Sequence, residues 1–129
     1  MAQPSDRMYA RTHEWVKVEG ETATIGITQY AQEQLGDVVF VELPAVGRQV
    51  ARDTTMGTIE SVKAVSEVFA PVSGTVTAGN AELDGHPELI NQDPYGNGWL
   101  VRLHIAAGAT EGLLDAVGYD AFLAEEGAH

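Results

Sequence analysis

The chain has 129 residues and not one cysteine, which excludes disulfides, thiolate metal sites and a cysteine nucleophile. It is short of positive charge as well. Seven Lys and Arg stand against nineteen Asp and Glu, for a formal net charge of −12. Nucleic acid and anionic membrane surfaces repel such a chain, so neither is expected as a partner. Long apolar runs are missing: the longest unbroken aliphatic or aromatic stretch is Val38-Val39-Phe40-Val41, far below the roughly 20 residues of a membrane span. The first fifteen residues hold no apolar stretch of signal-peptide type. Together these absences predict a soluble, cytoplasmic protein.

What is present is ordinary globular composition, with 44% hydrophobic and 20% charged residues, which argues against disorder. A chain of this length buries roughly two-thirds of its unfolded surface. One domain over residues 1–129 is expected, with its core from Tyr9 to Phe122 and a fraying polar segment from Met1 to Asp6. Charge is uneven. Residues 1–64 carry six basic and nine acidic groups, whereas residues 65–129 carry one basic group, Arg102, and ten acidic ones. Such a surface steers a protein toward basic patches on partners, and it is equally the signature of a merely solvated acidic face.

From Tyr9 the hydrophobic pattern is that of strands. Trp15 to Glu19 alternates, Gly20-Glu21 makes a turn, and Thr22 to Ile27 alternates again, which predicts a hairpin. Thr28 offers an N-cap to a two-turn helix over Gln29 to Leu35, with Gly36 as its stop. Val38 to Leu43 reads as a strand that is apolar on both faces, and so covered on both sides, ended by Pro44. Gly47, Gly57, Gly74, Gly79 and Gly85 then punctuate short segments at intervals of about ten residues, the rhythm of a small sandwich or barrel. Asp93 to Gly98 is dense in turn residues, and Trp99 to Ile105 reads as the last strand. Thr110 to Leu114 and Tyr119 to Glu126 are expected to be helical, anchored by Leu114, Val117 and Phe122.

Enzyme constellations are absent from this pattern. No two of His13, His86, His104 and His129 have the spacing of a helical metal pair, and His104 reads as a solvated strand residue. There is no phosphate-cradling Gly-rich loop and no Gly-x-Ser-x-Gly elbow. Acidic pairs are plentiful, but in so acidic a chain a chance pair carries little information. No catalytic or metal residue is therefore assigned.

Lysine is what stands out, because the chain has only two, Lys17 and Lys63. Lys17 reads as a solvated residue of the first hairpin. Lys63 sits between Val62 and Ala64-Val65 in a segment with neither a Gly nor an Asn to mark a turn, nor a clean period of two. Local rule-breaking of this kind is commoner at functional sites.

The residues around it resemble a known pattern. Glu60-Ser61-Val62-Lys63-Ala64, followed by Ala70-Pro71-Val72-Ser73-Gly74, resembles the acceptor signature of lipoyl proteins, specifically of the glycine cleavage system H-protein family. Further blocks resemble that family in the same order: His13-Glu14-Trp15-Val16, Ala23 to Thr28, Leu35 to Pro44, Glu88-Leu89-Ile90-Asn91, and Asp93-Pro94-Tyr95-Gly96 with Gly98-Trp99. The likeness runs from about Tyr9 to Phe122.

The resemblance implies a mainly β fold, a barrel-sandwich hybrid of two antiparallel sheets with a short internal helix and C-terminal helices. It implies a non-catalytic carrier whose Lys63 is amide-linked to lipoic acid by a separate lipoyl ligase or transferase. An amine attacks only in its neutral form, which must be generated in that partner's site. The missing cysteine then has a chemical counterpart, since the reactive sulfurs arrive on the cofactor. In the family's cycle a pyridoxal-phosphate glycine decarboxylase passes an aminomethyl group to the lipoyl sulfur. An aminomethyltransferase takes the one-carbon unit and releases ammonia, and dihydrolipoyl dehydrogenase reoxidises the arm. The resemblance also implies a surface cleft that shelters the loaded arm from water, with Thr12, Glu14 and Glu67 at its polar end to receive the ammonium. A monomer suits such a shuttle.

The same residues admit three other readings. A biotin carrier uses the same hairpin lysine, but its acceptor is flanked by Met, where this chain has Val62 and Ala64. A lipoyl relay, donating its cofactor to 2-oxoacid dehydrogenases, needs the same exposed Lys63. An unmodified acidic interaction module, or a small hydrolase using acidic pairs, would leave Lys63 bare.

Overall fold

A computed structural model describes residues 3–126. The elements run β1 (Met8–Tyr9), β2 (Glu14–Glu19), β3 (Thr22–Ile27), α1 (Gln29–Leu35), β4 (Val38–Glu42), β5 (Gln49–Val50), β6 (Thr55–Ser61), β7 (Val65–Phe69), β8 (Gly74–Gly79), α2 (Glu82–Gly85), α3 (Leu89–Gln92), β9 (Val101–His104) and α4 (Ala116–Glu125). Two antiparallel sheets result, one in the order β1-β2-β3-β9-β8-β5 and one in the order β4-β6-β7. The fold is mainly β with a few helices, as the sequence pattern implies.

Local chemistry accounts for the first half closely. β2 and β3 pair from Glu14 opposite Ile27 to Glu19 opposite Thr22, with Gly20 and Glu21 as the turn. α1 starts where Thr28 Oγ1 accepts the Ala31 N–H and stops where Gly36, at φ +79°, donates to Gln32 O. The main core is built from inward residues of both sheets, among them Ile25, Ile59, Val68, Val76, Val101 and Leu103, with Ile90 of α3 beside them. A second cluster gathers Tyr9, Trp15 and Tyr119, with Tyr95, Trp99, Leu114 and Phe122 around it. Here Trp15 demands a glycine: a Cβ at Gly26 would sit 2.6 Å from its indole.

Three expectations need correction. The strand at Val38 is not covered on both faces: Val39 and Phe40 are 47% and 56% exposed. It is an edge strand, and a bulge between Val38 and Phe40 turns consecutive side chains outward. Residues 110–114 are turns that end in a bridge from Leu114 to Tyr9, so only one C-terminal helix, α4, forms among the described residues. Its anchor is Tyr119, fully buried and stacked on Tyr9 at 4.9 Å, whereas Val117 is 78% exposed. Where it is described, the N-terminal segment is held by hydrogen bonds and ion pairs. Gln3 hydrogen-bonds Tyr95 and Asp120, Pro4 accepts from Tyr9, and Asp6 pairs with Arg7 and Lys17. Met1 and Ala2, part of the segment expected to fray, lie outside the described residues, as does His129. The helices α2 and α3 had no counterpart in the sequence reading.

Candidate functional site

Lys63 lies at the tip of the β6–β7 hairpin, exposed, in a two-residue turn that contains no glycine. Turns of this length ordinarily need positive φ at their centre to match the strand twist. Neither Val62 nor Lys63 has it. Ser61 supplies the missing order. Its N–H donates to Ala64 O at 2.8 Å, and its Oγ accepts from the N–H groups of Lys63 and Ala64 at 3.3 and 3.1 Å. A side chain thus does what backbone geometry does elsewhere, which explains why the segment looked wrong for a turn. The turn is also tied sideways, because Val62 N–H donates to Asp37 O at 3.0 Å.

Among the described residues the Lys63 ammonium forms no ion pair, although the chain is strongly acidic; Lys17, by contrast, pairs with Asp6 at 3.5 Å. The Lys63 stem runs over Gly36, where an added Cβ would lie 3.4 Å from its Cε.

A track leads away from this lysine. The pair closing the turn, Ser61 with Ala64, is hydrogen-bonded, so by strand alternation the pairs Ile59–Ser66 and Gly57–Val68 carry the ladder. The N–H and C=O groups of Val65 and Glu67 therefore point away from β6. β7 is the edge of its sheet, so among the described residues these groups have no strand partner; Glu67 O accepts only from the Ser66 hydroxyl, at 3.5 Å. At the strand's far end the Phe69 N–H donates to Glu14 Oε2 at 3.3 Å. From Ala64 to Phe69 an extended strand covers about 17 Å.

Glu14, on β2, is the buried acid of the site at 2% exposure. Thr12 Oγ1 donates to its Oε1. Burial pushes its carboxyl up to about 7, and the negative field of nearby Asp53 adds to the rise, while the bonds from Thr12 and Phe69 oppose it. Thr12 faces a cavity of about 210 Å³ that Asp53 and Arg52 also line. The structure thus brings Thr12 and Glu14 together and sets them at the end of β7. Glu67 is exposed on β7 itself, two residues from Phe69, and makes no hydrogen bond to either among the described residues.

Behind the site a second group of bonds braces the helices. Tyr119 Oη is 2.7 Å from His13 Nδ1 and 2.8 Å from Thr28 Oγ1, the cap of α1. Burial lowers the His13 pKa, with Glu126 pulling the other way. Ser61, Gly36 and Tyr119 were not singled out for these roles from sequence. Ser61 carried a readable signal, since serine at the head of a glycine-free turn is a side-chain capping residue.

The family model for the glycine cleavage H-protein matches residues 7–126. The glycine cleavage system H protein of Nitratidesulfovibrio vulgaris (strain DSM 19637 / Miyazaki F) is 56% identical over 126 residues, 98% of each chain. That of Thermotoga maritima is 52% identical over 121 residues, covering 93% of this chain and 98% of its own. Among solved structures, the crystal structure of a glycine cleavage system H protein from Mycobacterium marinum aligns with a TM-score of 0.85 at 37% identity, over 97% of this chain and 99% of the other.

Proposed function

The chain belongs to the glycine cleavage H-protein family, the lipoyl carriers of the glycine cleavage system, and on that premise we propose that Lys63 is the residue that bears the lipoyl group. The carrier is not itself a catalyst, and its partners are those of the glycine cleavage system, the decarboxylase and the aminomethyltransferase. The observation that carries the assignment is an exposed lysine, outside any ion pair among the described residues, on a projecting turn. A lipoyl-attaching ligase or transferase needs that amine accessible and its turn rigid, and Ser61 provides the rigidity.

The residues present fit the group. When bound, it would supply a disulfide that opens to take up the aminomethyl unit and a dithiol, left once that unit is released, to be reoxidised, on this reading by dihydrolipoyl dehydrogenase. The chain's own part is to hold and shelter. The open edge of β7 offers the arm a row of backbone donors and acceptors running from Lys63 toward Glu14. Glu14, paired with Thr12, receives the ammonium at the far end, and Glu67 adds negative charge along the way. Burial around Glu14 keeps water from that end. Tethering gives several partner sites a high effective concentration of one mobile arm, so no single complex needs to be long-lived. This reading places the protein in the cytoplasm as a monomer, with its acidic surface turned to basic patches on its partners.

The test is mass spectrometry on the full chain from cells supplied with lipoate. A single lipoyl amide at Lys63 is expected. Biotin there, a lipoyl group at Lys17, or no modification while the attachment machinery is active would overturn the assignment.

A further inference from the structure

Asn91, on α3, spends its whole amide on one short stretch of chain. Its Nδ2 donates to Gly36 O at 2.8 Å and to Gln32 Oε1 at 2.9 Å, and its Oδ1 accepts the Val38 N–H at 2.9 Å. Both donors are used, and the amide's orientation follows from its partners, a carbonyl on one side and an N–H on the other. The stretch so held, from the end of α1 to the start of β4, is the one that touches the lysine turn. Asp37 O accepts the Val62 N–H, and the Lys63 stem passes over Gly36, where an added Cβ would be 3.4 Å from Cε and 3.9 Å from Cδ.

We propose that Asn91 is a positioning residue for Lys63: by clamping Gly36 and Val38 it fixes the shelf on which the lysine stem lies, and hence the direction in which the lipoyl arm leaves the turn. The proposal rests on the reading that Lys63 is the lipoylated residue. The physical need is plain. A lysine stem is a flexible four-carbon chain, and an exposed one has little packing to select among its rotamers. A rigid backbone surface under it narrows the choice. Without Asn91, Gly36 O and Val38 N–H would lose these partners, and any shift of residues 36–38 would reach the turn through the Asp37–Val62 bond. What demands glycine at position 36 is its φ of +79°, which ends α1; the stem lies at ordinary contact distance from where a Cβ would be.

The variant that separates positioning from folding is Asn91→Asp. It keeps the acceptor for Val38 N–H and lets the Gln32 amide turn round to donate to the new carboxylate, but it no longer donates to Gly36 O. Two readouts are taken on the full chain: the nuclear Overhauser contact between the Lys63 ε-protons and the Gly36 α-protons, and the kinetics of lipoate attachment by a lipoyl ligase. The wild type is expected to show the contact. In N91D, shown to be folded by its near-ultraviolet circular dichroism, the contact is lost and the attachment kcat falls about tenfold while KM for the carrier stays within about twofold. A folded N91D that retains the contact and the rate overturns the proposal, and so does a rise in KM alone, which would make Asn91 a docking residue. Absence of the contact in the wild type also overturns it, with no variant needed. Modification at another lysine would instead defeat the functional reading and leave the contact to report on the shelf alone.

Discussion

The Phe69 N–H donates to Glu14 Oε2 across 3.3 Å, so the edge strand beside the lysine turn ends on a carboxylate that is itself buried to 2% exposure. This one bond joins the two sheets at the point where the arm of the carrier is proposed to end. It also places an acid where its charge is costly unless a cation arrives.

That cost sets a pH dependence. Unfolded, Glu14 titrates near 4.5, and in the folded protein burial holds its proton up to about 7. Between those values the folded state binds more protons, so this group's contribution to stability is full below pH 4.5 and is lost as pH rises toward 7, by about 3 kcal/mol in all. Glu14→Gln is expected to abolish that slope in denaturant titrations across pH 4–8. On the loaded protein the same variant is expected to shorten the lifetime of the aminomethyl group about tenfold, through loss of a charge-assisted hydrogen bond. An unchanged lifetime would remove Glu14 from the ammonium site.

His13 works in the opposite direction. Its folded pKa lies below the ordinary 6.5 because its ring is buried against Tyr119, Tyr30 and Phe122. The unfolded chain therefore takes up the proton first, and the stability His13 contributes is lost as pH falls through 6.5. Once Glu14→Gln has removed the competing slope, stability should rise with pH through that window. Tyr119→Phe deletes the hydroxyl shared by His13 and Thr28 and is expected to cost about 2 kcal/mol, as it leaves buried polar atoms short of a partner. Chemical denaturation at pH 7.5 measures it.

Ser61→Ala removes the oxygen that holds the N–H groups of Lys63 and Ala64. The turn then has only backbone geometry of the wrong hand to rely on. A loss of about 1–2 kcal/mol is expected, together with faster amide hydrogen exchange at Lys63 and Ala64 and slower lipoate attachment.

Gly26→Ala tests the packing of Trp15. The new Cβ would lie 2.6 Å from the indole, whose Nε1 is already committed to Pro94 O at 2.9 Å. With the ring unable to retreat, a loss of about 3 kcal/mol is expected, and a blue or red shift of Trp15 emission should accompany it.

Lys63→Arg, by contrast, should leave the melting temperature within error, because the side chain is exposed and outside any ion pair among the described residues. Guanidinium cannot be acylated under the same conditions, so the lipoyl adduct should vanish from the mass spectrum.

How much of this was legible in the sequence depends on how local the cause is. The helix from Gln29 to Leu35 and the hairpin before it were readable because Thr28, Gly36 and the Gly20-Glu21 turn act on neighbours a few residues away. The strand at Val38 misled because its apolar run says nothing about whether a neighbour covers it. Only its place at the edge of the sheet, and the bulge after Val38, expose Val39 and Phe40. In α4 the apolar residues lie all round the helix, so no face announces itself, and Tyr119 rather than Val117 became the anchor because Tyr9 was there to stack on.

The sequence by itself determined which lysine stands out, the family to which it points, and the segments whose turns and caps are written in adjacent residues. The tertiary structure alone decided that Thr12 and Glu14 meet the end of β7 while Glu67 stands apart along it. It alone placed Asn91 on the carbonyl of Gly36, 55 positions away in the chain. Short-range signals are set by propensity and hydrogen bonds between near neighbours. The site is made of contacts between remote segments, and those exist only once the burial of two sheets against one core has fixed where each strand ends.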